Sequence, residues 1–196
     1  AGLNEANNIT ITDDVTVAEA TTVNSATNGG TSSVATVTDS AANIAASSNA
    51  VIANSAGAVT ANTAATVTQA GTIAAFATPV TYNISDVAAN ITAGAGLNEA
   101  NNITITDDVT VAEATTVEAA TNGGTNTYSI DDTATLVAAS NDAVLDLASA
   151  VTVNTAATVA EAITLEGFTQ AVTYNISDVA ANITAGAGMN SATNIT

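Results

Sequence analysis

Nine aspartates are the recurring reactive groups of this chain: Asp13, Asp14, Asp39, Asp86, Asp107, Asp108, Asp131, Asp132 and Asp178. Six of them hold the fifth place of a twelve-residue template, where Thr63 and Thr155 stand in the remaining copies; Asp14, Asp108 and Asp131 lie beside them. Stacked in successive repeats, like charges about 5 Å apart would repel by roughly 3 kcal/mol at an effective dielectric of 20, and by less than about 1 kcal/mol in water. Two chemistries fit such a column. An Asp or Thr ahead of an Ala-rich run caps a helix by accepting a backbone N–H, and the column is read first as each residue capping its own helix. A hard cation such as calcium would instead gather the carboxylates with amide and carbonyl oxygens, and chelation would then lower the melting temperature. Neither the GGxGxD nonapeptide nor an EF-hand loop is present.

The template itself defines the architecture. ITITDDVTVAEA from Ile9, YNISDVAANITA from Tyr82, YSIDDTATLVAA from Tyr128 and VTVNTAATVAEA from Val151 align without gaps, and further copies begin at Ala35, Val59, Ile103 and Tyr174. Starts fall 21 to 26 residues apart, a unit of about 23 repeated eight times. A longer period of about 93 overlies it, since residues 1–31 nearly match 95–125 and Tyr82–Ala93 recurs letter for letter at Tyr174–Ala185. The first four template positions alternate apolar and polar, as a half-buried strand does. An Ala-rich run with helical propensity follows, and Ala at position twelve in every copy points to a helix face pressed against its neighbour. Glycines such as Gly29, Gly30, Gly94, Gly123, Gly124 and Gly167 read as helix stops.

One strand and one short helix cannot bury their own apolar face, so successive units must stack. The expected fold is an α/β repeat solenoid of about eight strand–helix coils with one parallel sheet, on the order of 40 Å long at the usual strand spacing. The alternative is an all-β parallel β-helix. Residues 1–196 form a single solenoid of two super-repeats. AGLNEANNIT at 1–10 corresponds to AGMNSATNIT at 187–196, and no basic n-region marks a signal peptide, so the chain reads as a piece of a longer array or a subunit stacking end to end.

Composition limits the function classes. Apolar residues make up 47% of the 196, enough to fold, but they are mostly Ala, Val and Ile, with 3% aromatics. The core must be thin and repetitive. There is no Lys, Arg or His against 18 acidic residues, a formal charge of −18, which excludes nucleic acid as a partner and repels anionic membranes. No apolar run approaches the roughly 18 residues of a spanning helix. No Cys or His is available as nucleophile, base or soft metal ligand. A Ser or Thr nucleophile lacks an activating partner, and a glycosidase pair would lack the aromatics that form sugar platforms, so the chain reads as no enzyme.

Two surface patterns remain. Thr10, Thr12, Thr36, Thr38, Thr60, Asn62, Asn83, Ser85, Thr104, Thr106, Thr152 and Asn154 would form a polar strand face resembling the Thr ladders of ice-binding repeats, although strand propensity explains Thr equally well. Asn8, Asn83, Asn90, Asn102, Asn175, Asn182 and Asn194 are formal glycosylation acceptors that the repeat itself generates.

ISDVAANI at 84–91 and 176–183, VTDSAANI at 37–44, and TVAEA at 16–20, 110–114 and 158–162 resemble the alternating repeats of giant secreted or surface-associated proteins of cyanobacteria and other aquatic bacteria, of the haemolysin-like, RTX type. The resemblance covers essentially the whole chain. It implies a surface-layer, adhesin or matrix role outside the cell, with calcium as a possible partner. The expected function is a structural extracellular repeat unit, a filament or adhesin stalk, acting by coil stacking and by end-to-end or lateral self-association. The alternative is a binding module that offers its polar strand face to ice, glycan or mineral. No cofactor is called for except Ca2+ or another divalent cation.

Overall fold

A computed structural model describes residues 2–53, 57–185 and 188–196. Strands and helices alternate through the chain. β1 (Ile9–Val15), α1 (Val17–Asn24), β2 (Ser32–Asp39), α2 (Ala41–Ala45), α3 (Asn49–Ala53), β3 (Val59–Ala61), α4 (Val67–Ala74) and β4 (Val80–Thr81) come first. They are followed by β5 (Ile84–Asp86), α5 (Ala88–Ile91), β6 (Ile103–Val109), α6 (Val111–Glu118), β7 (Asn126–Asp132), α7 (Ala134–Ala138), α8 (Asp142–Leu145), β8 (Val151–Val153), α9 (Val159–Glu166), β9 (Val172–Thr173) and α10 (Ala180–Ala185). The Ala-rich runs are helices, which overturns the all-β alternative. Alanine's helix propensity and a capping hydroxyl at the start of α1, α2, α4, α6, α7 and α9 account for that.

The chain folds as two parallel sheets, β1–β2–β3–β4 and β5–β6–β7–β8–β9, where one was expected. The cause is a mismatch in residue number. Thr60 pairs with Thr81 and Ala65 bridges Ile84, so four residues on one strand face two, Tyr82 and Asn83, on the other. A ladder cannot continue over two surplus residues. The same interruption recurs between Thr152–Thr173 and Ala157–Ile176. A milder one-residue bulge lies in β1, where Thr12 and Asp13 face Ala35 alone.

The residues group into two compact units: Ala1–Asp86 with Ala93–Ile103 and Thr121–Thr125, and Val87–Thr92 with Thr104–Ala120 and Asn126–Thr196. In the first unit Val37, Ile44, Ile52, Ile73, Ile84 and Ile103 are almost completely buried. In the second, Ile91, Val117, Ile130, Val137, Leu145 and Leu165 play that part. Each such side chain contributes about 1.5–3 kcal/mol of burial.

The helices come in two kinds. α1, α4, α6 and α9 are eight residues long and open with a full capping box, Thr16 with Glu19, Thr66 with Gln69, Thr110 with Glu113 and Thr158 with Glu161. The others run four to six residues. The expected close-packed Ala at template position twelve is found in the long helices, where Ala20, Ala70, Ala114 and Ala162 are buried. In the short-helix repeats Ala46, Ala93 and Ala139 are exposed, because those helices have already ended; the surroundings of Ala185 lie outside what is described.

Of the glycines expected to stop helices, Gly30 and Gly124 instead lie where a Cβ would run into the Asn7 and Asn101 carbonyl oxygens. Gly167 is a C-cap, but α1, α2, α4, α6 and α7 end in Ser or Ala with right-handed backbone. Gly96, at φ +84°, lies against α4, where a Cβ would stand 2.7 Å from the Ala70 carbonyl carbon and oxygen. Gly188, at φ +89°, meets the Ala162 and Ile163 backbone in the same way. The close approach places each glycine's carbonyl over a buried phenol: the Tyr82 hydroxyl donates to Gly96 O at 2.6 Å and the Tyr174 hydroxyl to Gly188 O at 2.8 Å. Gly96→Ala is expected to cost about 2 kcal/mol or more, read as a fall in denaturation midpoint. Gly123→Ala, which would meet nothing within 4 Å, should change it little.

Candidate functional site

Apart from Asp13, the aspartate column is a set of helix caps, with one correction: each of the other five caps the helix of the repeat before it, not its own. A helix start leaves several N–H groups without partners. In the long helices the own-helix hydroxyl takes the third of them, as Glu19 N–H donates to Thr16 Oγ1 at 3.3 Å. The first N–H is left to the next repeat. Val17 donates to Asp39, Val67 to Asp86, Ala88 to Asp107, Val111 to Asp132 and Val159 to Asp178, all between 2.7 and 3.0 Å. Thr63 and Thr155 do the same with a hydroxyl, accepting from Ala41 at 3.0 Å and from Ala134 at 2.9 Å. Each bond spans 19 to 22 residues of sequence.

Several carboxylates also serve their own repeat with the second oxygen. Asp39 Oδ1 accepts from Ser40 N–H at 2.7 Å and from Asn43 Nδ2 at 2.8 Å. Asp178 Oδ1 accepts from Val179 N–H and Asn182 Nδ2, and Asp132 Oδ1 from Thr133 N–H. Asp132 is the one buried charged side chain among the described residues, at 5% exposure. Partial burial works to raise the Asp39 carboxyl, but hydrogen bonds from Asn43, Ser40 and Val17 outweigh it and hold the group below the usual aspartate range. Hydrogen bonds from Val159, Asn182 and Val179 depress Asp178 likewise. The Glu19 and Glu161 carboxyls are lowered chiefly by the Thr16 and Thr158 backbone N–H groups of their capping boxes.

The remaining sequence candidates do not join this pattern. Asp14 accepts from the Thr36 hydroxyl and Asp108 from the Ser129 hydroxyl, across adjacent strands. Asp13 is exposed, and Asp131 keeps one buried oxygen without a hydrogen-bond partner. Among the described residues, no three acidic groups come together to hold a metal ion.

A second set of stitches went unread in the sequence because it hides in the glycosylation-like tripeptides. Asn83 Oδ1 accepts from Asn102 N–H at 3.1 Å, and Asn102 Oδ1 accepts in turn from Thr125 N–H at 2.9 Å. Asn8 accepts from Thr31 N–H and Asn175 from Asn194 Nδ2. Asn4 and Asn98 close loops by accepting from Thr27 and Thr121 N–H. The signal available was the fixed place of Asn just ahead of β1, β5 and β6.

The three tyrosines are inward struts. All are at most 2% exposed. Burial, with Glu99 nearby, pushes Tyr82 up to about 12; burial, with Glu166 nearby, does the same to Tyr174. Burial, then Glu118, raises Tyr128, whose hydroxyl donates to Val144 O at 2.9 Å. None is a proton donor or acceptor near neutral pH.

These features define a class: an α/β protein of tandem repeats whose polar side chains are bonded to the backbone of the neighbouring repeat. No protein-family model, no curated protein and no solved structure matches the chain.

Asp132→Ala strands two part-buried N–H groups, of Val111 and Thr133, and is expected to cost about 2 kcal/mol. Asp13→Ala should stay within about 0.5 kcal/mol. Because Asp39 has a depressed pKa when folded, its contribution is present above the ordinary value of 3.8 and is lost as pH falls below it. The stability difference between the wild type and Asp39→Asn should therefore shrink on acidification through that range. Since the column oxygens already accept from N–H groups, excess EDTA is expected to leave the melting temperature unchanged; a fall would return calcium to the column.

Proposed function

We propose that this chain is a structural repeat module of an extracellular or cell-surface assembly: an elongated α/β solenoid serving as filament, surface-layer unit or adhesin stalk. One observation carries the reading. The groups best suited to chemistry, the template aspartates and the Asn rungs, act as acceptors for the next repeat's or the preceding repeat's backbone. Such side chains extend an array and leave little to turn on a substrate. The resemblance of ISDVAANI and TVAEA to the repeats of giant secreted bacterial proteins supports the same role and location. The −18 charge, with no cation in the chain, keeps such arrays apart until solvent ions screen it, which makes self-association salt-dependent.

Electron microscopy with small-angle scattering across a salt series tests this reading. Elongated particles that associate end to end or laterally as salt rises are expected; compact monomers at every salt concentration would overturn it.

A second reading has a narrower basis. Thr38, Thr60 and Thr81 stand in register across β2, β3 and β4, a short ladder on the polar face of the first sheet. As a binding surface for ice, glycan or mineral it has three rungs, and measurable thermal hysteresis is the result that would promote it.

A further inference from the structure

The first unit holds a groove of about 450 Å³ between α1 and the α2–α3 pair. Val17 and Thr21 line one side, Asn43, Ser47 and Val51 the other, and the Asp39 carboxylate belongs to the lining. That volume falls in the range of small-molecule sites.

Much of the donor capacity of the lining is already used. Asn43 Nδ2 donates to Asp39, the Thr21 hydroxyl to Val17 O at 2.7 Å, and the Ser47 hydroxyl to Ile44 O at 2.6 Å. Their oxygens retain lone pairs. Asp39 accepts three bonds, from Val17, Ser40 and Asn43, while a carboxylate offers about four acceptor positions. Besides the Ser48 hydroxyl and the second Asn43 Nδ2–H, the groove therefore presents acceptors, one of them a carboxylate whose charge no Lys, Arg or His in the chain can balance. A complementary ligand brings donors and a positive charge.

The second super-repeat supplies an internal comparison. Asp132 is the counterpart of Asp39, yet it is buried at 5% exposure. Leu136 stands where Asn43 does, taking the amide away, and Asn141 replaces Ser48. The same helices in the second unit thus keep the Thr115 and Ser140 hydroxyls but lack the accessible carboxylate and its amide neighbour.

We propose that the groove beside Asp39 binds a small hydroxylated amine of the amino-sugar class, its ammonium paired with the Asp39 carboxylate and its hydroxyls donating to Thr21, Ser47 and Ser48. This binding activity is separate from the structural role and does not depend on it. A ligand of that class is a component of cell-surface polysaccharide, which gives a repeat module a point of attachment on one of its two super-repeats.

The test is titration of the ¹⁵N-labelled full chain with glucosamine at constant ionic strength, followed by amide chemical shifts, with glucose as the uncharged twin. Glucosamine should produce saturable shifts confined to residues 17–21 and 39–51 and absent from 111–115 and 132–144. Glucose should bind at least about tenfold more weakly, as expected when a charge-assisted bond is missing. Asn43→Leu, which copies the residue already accommodated at Leu136, should abolish the shifts while leaving the rest of the spectrum intact. Asp39→Asn should weaken glucosamine toward the level of glucose. Equal binding of the two sugars, unsaturable shifts spread over acidic residues along the chain, or unchanged binding by Asn43→Leu would each overturn the proposal.

Discussion

The structure depends on a hydrogen bond that reaches from one repeat to the one before it. The first N–H of a helix is closed by a side-chain oxygen some twenty residues later, as Val17 is by Asp39 and Val111 by Asp132. That bond does two things at once. It satisfies a backbone group that burial would otherwise make costly, and it fixes the position of the following strand relative to the helix. In a chain without a single basic side chain, the backbone N–H is the main positively polarised partner available to a carboxylate. The acidic composition and the cap are thus one solution: the helix N-terminus serves where a lysine or arginine would stand in another protein.

This arrangement leaves the apolar interior a modest task. The side chains that fill it are Ala, Val, Ile and a few Leu, held between a strand and a short helix, and the three tyrosines supply the only large volumes. Ala70 and Ala162 are small enough for the backbone at Gly96 and Gly188 to close over them. Thin packing of this kind tolerates little change in spacing. Long-range hydrogen bonds from Asp, Thr and Asn then hold what a thick core would hold by volume alone.

Much of this was legible in the residues. Alternation such as Ile103-Thr104-Ile105-Thr106 marked the strands, and Ala-rich runs behind the template Asp or Thr marked the helices. The aspartates were recognisable as caps because Asp is a good acceptor beside an N-terminus. Which helix they cap was not recognisable, since local sequence always nominates the nearest one. A gapless template also merged two kinds of repeat. Asp39 directly precedes the capping Ser40, whereas Asp107 lies three residues ahead of Thr110. The strand register absorbs that difference through the bulge at Thr12–Asp13 and the four-against-two mismatch at Ala61–Ala64, and the latter also divides the sheet. Register is a property of pairs of strands, and no single repeat contains it. The groove beside Asp39 was hidden for a similar reason: its character depends on where Asn43 Nδ2 and the Ser47 hydroxyl donate, to Asp39 and to Ile44 O.

The reach of the cap also sets an order of events in time. A helix whose first N–H waits for an oxygen about twenty residues downstream cannot be completed when its own last residue leaves the ribosome. It is completed one repeat later. Folding of such a chain follows its emergence with a constant lag, and the newest repeat at the exit is always the one with an open helix end.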